Sequence, residues 1–219
     1  MGVSFQLGDV GMGPPEPDDR RIHGVCPALV ISNTDLLTEG RIQIQVPWLP
    51  GFLLWARVAV PMAGIANGTF FIPQVGDEVL VAFAQGDVRE AYVIGCLWST
   101  TARPPALTPV DPTIKRVIRT PLGHEIAFDE SQAKLTITNM ALHSVTLGPD
   151  GIELATVGGA ASIKLGVEGE VSIIAAKSFS VTTGMLDLTA IGDASVSSAA
   201  LTLDGGASCV VRGGKVNIN

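Results

Sequence analysis

What most restricts this chain is a repeat in its second half. From Lys134 onward, triplets with apolar residues at first and third position recur at Leu135–Ile137, Val145–Leu147, Ile152–Leu154, Ile163–Leu165, Val171–Ile173, Phe179–Val181, Leu186–Leu188, Ala194–Val196, Leu201–Leu203, Cys209–Val211 and Val216–Ile218. They return on average about every eight residues, the length of a short strand plus a turn. The middle residue is polar or charged in every triplet except the one centred on Val210. Side chains alternate across a strand, so each unit has one dry and one wet face. Glycines such as Gly158, Gly169 and Gly206 fall between the triplets, where a corner needs a positive φ.

Repeated strand-turn units have to stack on something. A single-chain right-handed β-helix takes three units per coil and leaves its last coil open, with no cap after the final triplet. Such an uncovered edge invites aggregation. Three intertwined copies give the other solution, a triangular prism whose dry faces meet on a shared axis. Composition favours this second reading. Hydrophobic residues make 47% of the chain, mean hydropathy is +0.40, and charged residues make only 16%, below the roughly 25% of ordinary soluble domains. A surface that is greasy in one copy becomes core in three. The candidate axis residues are Ile163, Leu165, Val171, Ile173, Val181, Leu186, Leu188, Val196, Leu201, Leu203 and Val211. The single-chain coil, as a carbohydrate-binding or adhesive protein, remains the alternative, although its one aromatic past Lys134 is Phe179.

The first half is different. Residues 1–21, with Pro14, Pro15, Pro17 and the acids Asp9, Glu16, Asp18 and Asp19, read as an extended arm. Residues 22–100 hold Trp48, Phe52, Trp55, Phe70, Phe71, Phe83, Tyr92 and Trp98, which predicts a compact domain with its own core. Five strand-like runs, "HGVCPALVI", "RIQIQVPWL", "LWARVAVP", "DEVLVAF" and "AYVIGCLW", lie between turn signals and fit a small OB-type barrel. A proline-rich linker is expected over 101–114, and the β-helix needle over 115–219. The expected class is all-β, with no helix of useful length.

Several functions are excluded on the residues. Within the barrel segment Arg41, Arg57 and Arg89 face Asp35, Glu39, Asp77, Glu78, Asp87 and Glu90, a balance that repels nucleic acid despite the aromatics. Cys26, Cys96 and Cys209 are too scattered for a disulfide framework or zinc site. His23, His124 and His143 belong to no nucleophile or metal motif, and His124 is placed at the corner where linker becomes needle. The adjacent pairs Asp77–Glu78 and Asp129–Glu130 point to opposite strand faces and make poor acid/base partners. No spanning helix or signal peptide is apparent, which predicts cytoplasmic synthesis and assembly.

"GRIQIQVPWLPG" followed by "LWARVAVPMAGIANGTFFIPQVGDEVLVAFAQGDVREAYVIGCLW" resembles the barrel of baseplate assembly protein V and VgrG spikes in contractile phage tails, type VI secretion and extracellular injection systems. "RVIRTPLGHEIAFDES" is similar to the segment that opens the triple-stranded β-helix of the same spikes. The resemblance implies a homotrimeric structural spike and not an enzyme, delivered outward on firing with transient contact to a target membrane. It implies two partners, a separate baseplate hub protein at the barrel and a PAAR-type tip protein on the needle's blunt end. Lys215, Val216, Asn217, Ile218 and Asn219 would form that docking platform. The iron-binding HxH of some phage spikes has no counterpart after His143, so no metal, cofactor or catalytic residue is expected.

Overall fold

The structure, a computed structural model, describes residues 21–22, 24–105 and 108–217. The arm expected before residue 21, His23, Ile218 and Asn219 lie outside the described residues. Five strands close a barrel: β1 (Val25–Ser32), β2 (Arg41–Gln45), β3 (Leu53–Val58), β6 (Glu78–Phe83) and β7 (Ala91–Leu97), in the order β1-β2-β3-β7-β6. Only β3 and β7 pair in parallel. Between β3 and β6 runs a small hairpin of β4 (Ala63–Gly64) and β5 (Asn67–Gly68).

Alternation builds the barrel. Ile42 and Ile44 on β2, Val79 and Val81 on β6, and Cys26, Ala28 and Val30 on β1 point inward and are buried, while their neighbours face out. The segment has its own core, as expected, and that core is mainly aliphatic. Phe83 is the one aromatic buried among the described residues. Trp55 stands on the opposite side of β3 from the buried Ala56, and Trp48, Phe52, Phe70, Phe71 and Trp98 are likewise exposed. A five-stranded barrel is too narrow for large rings, so Ala28, Ala56 and Ala91 fill its interior with β-branched residues.

The loop before β2 is organised by Asp35. Its carboxylate accepts the backbone N–H of Leu37 (3.1 Å), Glu39 (3.0 Å) and Arg41 (3.2 Å) and bonds the Arg41 guanidinium at 3.2 and 3.3 Å. The Arg41 guanidinium lies 5.5 Å from the centroid of the Trp55 ring. Before β6 the chain turns at Gly76, whose φ of 93° disfavours a side chain; its N–H bonds the Val30 carbonyl at 2.9 Å.

The expected linker ends in a helical turn, α1 (Asp111–Ile114), that the sequence reading did not foresee. Asp111 fixes it, since its buried carboxylate accepts the Thr108 N–H at 2.8 Å and lies 3.4 Å from Lys115 Nζ. The Thr108 N–H, ahead of the other contacts, holds this carboxyl below the ordinary aspartate range. The chain then forms a seven-stranded antiparallel meander in sequence order: β8 (Lys115–Arg119), β9 (Glu125–Asp129), β10 (Lys134–Thr138), β11 (Ser144–Gly148), β12 (Gly151–Ala155), β13 (Ala161–Gly166) and β14 (Val171–Ala175). His124 lies in the β8–β9 turn, one strand past the corner assigned to it, where its N–H bonds Thr120 Oγ1 at 3.1 Å. The described residues 176–217 form no strand within the chain.

All three tryptophans lie in the barrel segment, so their fluorescence reports on the barrel. Truncating the fully buried Ile44 to Ala is expected to cost about 2–5 kcal/mol of barrel stability, read as a lower urea midpoint. Asp35 tests the loop. Its pKa is held down at about 2, chiefly by the Arg41 side-chain hydrogen bond, against about 3.9 in an unfolded chain. A carboxyl lowered in the folded state stabilises it above the unfolded value and loses that effect as pH falls through the folded one. The wild-type urea midpoint therefore exceeds that of Asp35→Asn at pH 7, and the gap closes as pH drops from about 4 towards 2.

Candidate functional site

The registers of the meander align its apolar residues into two rows. One runs through Ile118, Ile126, Ile137, Val145, Leu154, Ile163 and Ile173, each directly opposite the next on the neighbouring strand. The second begins at Arg116 and continues through Phe128, Leu135, Leu147, Ile152, Leu165 and Val171. Residues two apart on a strand share a face, so both rows lie on the same side. The opposite side carries Thr136, Thr146, Glu153, Lys164 and Ser172 in register, with Glu153 directly across from Lys164.

The dry face has no cover in one chain. Most of its residues are exposed, from 36% at Ile126 to 64% at Val171, while Leu135 and Val145 are half-buried. The face bounds an apolar hollow of about 910 Å³ that Phe71 of the barrel and Phe179 also line. A face of this extent marks an interaction surface and not a monomer's exterior. Every strand between β8 and β14 is paired on both sides, and the last rung is Ala176 N–H to the Ala160 carbonyl at 2.8 Å. Whatever covers the face therefore contributes side chains, and need not complete a strand ladder there.

Of the expected axis residues, Ile163 and Leu165 on β13 and Val171 and Ile173 on β14 fall on these two rows. Val181, Leu186, Leu188, Val196, Leu201, Leu203 and Val211 follow in the segment without strands, and all are exposed in the single chain. Lys215, Val216 and Asn217 close the described chain, also exposed. The rows reach further back than that set of residues, to Ile118, Ile126 and Phe128. The signal was present in "EIAFD", an apolar-x-apolar triplet that precedes Lys134.

The barrel and the ladder together invite comparison with known proteins. Residues 26–98 match the model of the type VI secretion system/phage-baseplate injector OB domain. The chain is 31% identical over 166 residues to the type VI secretion system spike protein VgrG2a of Pseudomonas aeruginosa, an alignment covering 67% of this chain and 20% of that protein. The chain belongs to the VgrG-like baseplate-spike family. The spike protein VgrG2b of the same organism is also 31% identical, over 67% of this chain and 16% of its own length. The actin cross-linking toxin VgrG1 of Vibrio cholerae is 33% identical over 42% of this chain and 9% of the toxin. The chain thus spans a fifth or less of the length of these VgrG relatives.

Proposed function

We propose that this chain is the central spike of a contractile injection particle, a homotrimeric needle that pierces a target envelope and performs no chemistry of its own. The observation that carries the reading is the pair of apolar rows running uncovered across all seven strands behind an injector-type barrel. Three copies arranged around an axis turn the three dry faces toward one another and bury them. In residues 176–217 the triplets continue while ladder partners within the chain are absent among the described residues. Two further copies of the same segment supply both the missing backbone partners and the apolar cover. A single-chain coil would instead pair this segment with itself.

The barrel is seated at a separate hub protein, which its exposed Trp48, Phe52 and Trp98 suit. Lys215 to Asn219 of the three copies form the platform for a PAAR-type tip protein. Assembly takes place in the cytoplasm, and contact with the target membrane is transient, during firing. Contraction elsewhere in the particle supplies the force, and the needle supplies stiffness through hydrogen-bonded layers around a dry axis.

Light scattering tests the assembly. The purified chain is expected at about 68 kDa, three subunits of 22.7 kDa each; a folded species at the subunit mass overturns the reading. Val196→Asp places three carboxylates in a dry layer and is expected to abolish the trimer, because an unpaired buried charge costs several kcal/mol. Amides of residues 176–217 are expected to exchange slowly in the wild-type assembly and rapidly in Val196→Asp, as hydrogen exchange read by mass spectrometry would show.

A further inference from the structure

In the meander, successive turns alternate between the two edges of the sheet. One edge carries the β8–β9, β10–β11 and β12–β13 turns and the exit from β14; the other carries the β9–β10, β11–β12 and β13–β14 turns. Their charges are segregated. The first edge carries the cation Lys177, just past β14, beside the imidazoles of His124 and His143, and its turns hold no carboxylate. Glu125, which follows its first turn, is paired with Arg119. The second edge presents Glu130, Asp150, Glu168 and Glu170. None of these four acids makes an ion pair among the described residues. Of the cations on that side, Lys115 and Lys134 start their strands beside Asp129, Lys115 also lies 3.4 Å from Asp111, and Arg116 donates to the Pro112 and Lys115 carbonyls at 3.1 and 2.9 Å.

We infer that the partner of each edge is the opposite edge of a second copy, so that the carboxylate-free edge of one subunit, which ends on Lys177, docks along the acidic edge of the next. The inference rests on the trimeric reading above and specifies how it closes. In a cyclic assembly every subunit offers unlike edges to its two neighbours, a heterologous contact that returns on itself. Adjacent strands lie about 4.8 Å apart, so at equal height each turn of one edge falls one strand spacing from turns of the other. His143 then sits between the levels of Glu130 and Asp150, and Lys177 lies one level beyond Glu168 and Glu170. The His143 side chain is already oriented, since its Nδ1 accepts the Val157 N–H at 3.2 Å. An accepting Nδ1 leaves the proton on Nε2, so the neutral ring faces a partner carboxylate as a hydrogen-bond donor. Apolar rows are non-directional and tolerate a slip along the axis. Charges at the edges set register and discriminate against the wrong neighbour even where each pair adds little affinity.

Zero-length carbodiimide coupling of the full-length protein at low salt, followed by peptide mass spectrometry, tests this. Lys177 is expected to be joined to Glu168 or Glu170 in the covalent dimer and trimer bands and not in the monomer band. Lys177→Glu alone, and Glu168→Lys with Glu170→Lys, are expected to lower the thermal midpoint of the assembly, and the three changes combined to restore it. A species of about 68 kDa without the coupling, or with reversals that simply add, overturns the edge pairing and leaves the trimer standing. A folded species at 22.7 kDa overturns both.

Discussion

Everything in the second half of this molecule follows from a sheet that is dry on one side. Cross-strand registers hold fourteen positions of the meander in two straight rows, and apart from Arg116 they are all apolar. Hydrogen bonding within the chain satisfies the ladder between β8 and β14 but does nothing for that face. A helix laid across it would be the usual remedy in a monomer. The only α-helix among the described residues is the single turn Asp111–Ile114, which leads into the sheet and does not cover it.

The barrel solves its own problem in the opposite way. Its interior is completed by one chain, mostly with small and β-branched residues matched to a narrow bore, and its large rings other than Phe83 are left outside or half-buried. Arginines lie over two of those outer rings, Arg41 over Trp55 and Arg57 over Tyr92 at 5.5 and 5.7 Å. Such stacking keeps an aromatic surface partly hydrated without removing it from contact. One half is self-sufficient in its core and the other is not.

Much of this was legible in the residues. The five barrel strands and the strand-turn repeat as far as Val171–Ile173 are written in period-two alternation, which holds because a one-residue slip would expose the whole core side. The aromatics marked the compact segment but not its interior, because hydrophobic bulk in a sequence says nothing about which side of a strand it occupies; Trp55 and Ala56 are neighbours with opposite fates. Asp35 was legible only as one acid in a charge balance, since its role depends on three backbone N–H groups that converge through loop geometry. The turn at Asp111–Ile114 was hidden by prolines that read as a linker, although Pro112 is well placed at the start of a helix. The face rows were visible as triplets, yet their alignment into straight lines required the pairing itself.

The meander's alternation of edges also constrains how such a shaft can change length. Removing one strand and its turn would deliver all later residues to the wrong side and reverse the direction of every strand after it. Removing a hairpin of two strands returns the chain to the same side with its pattern in phase, shorter by about 10 Å, two strand spacings. Gain or loss in a lineage of these proteins should therefore come in pairs of strands, and the reach of the spike would be quantised by the hairpin.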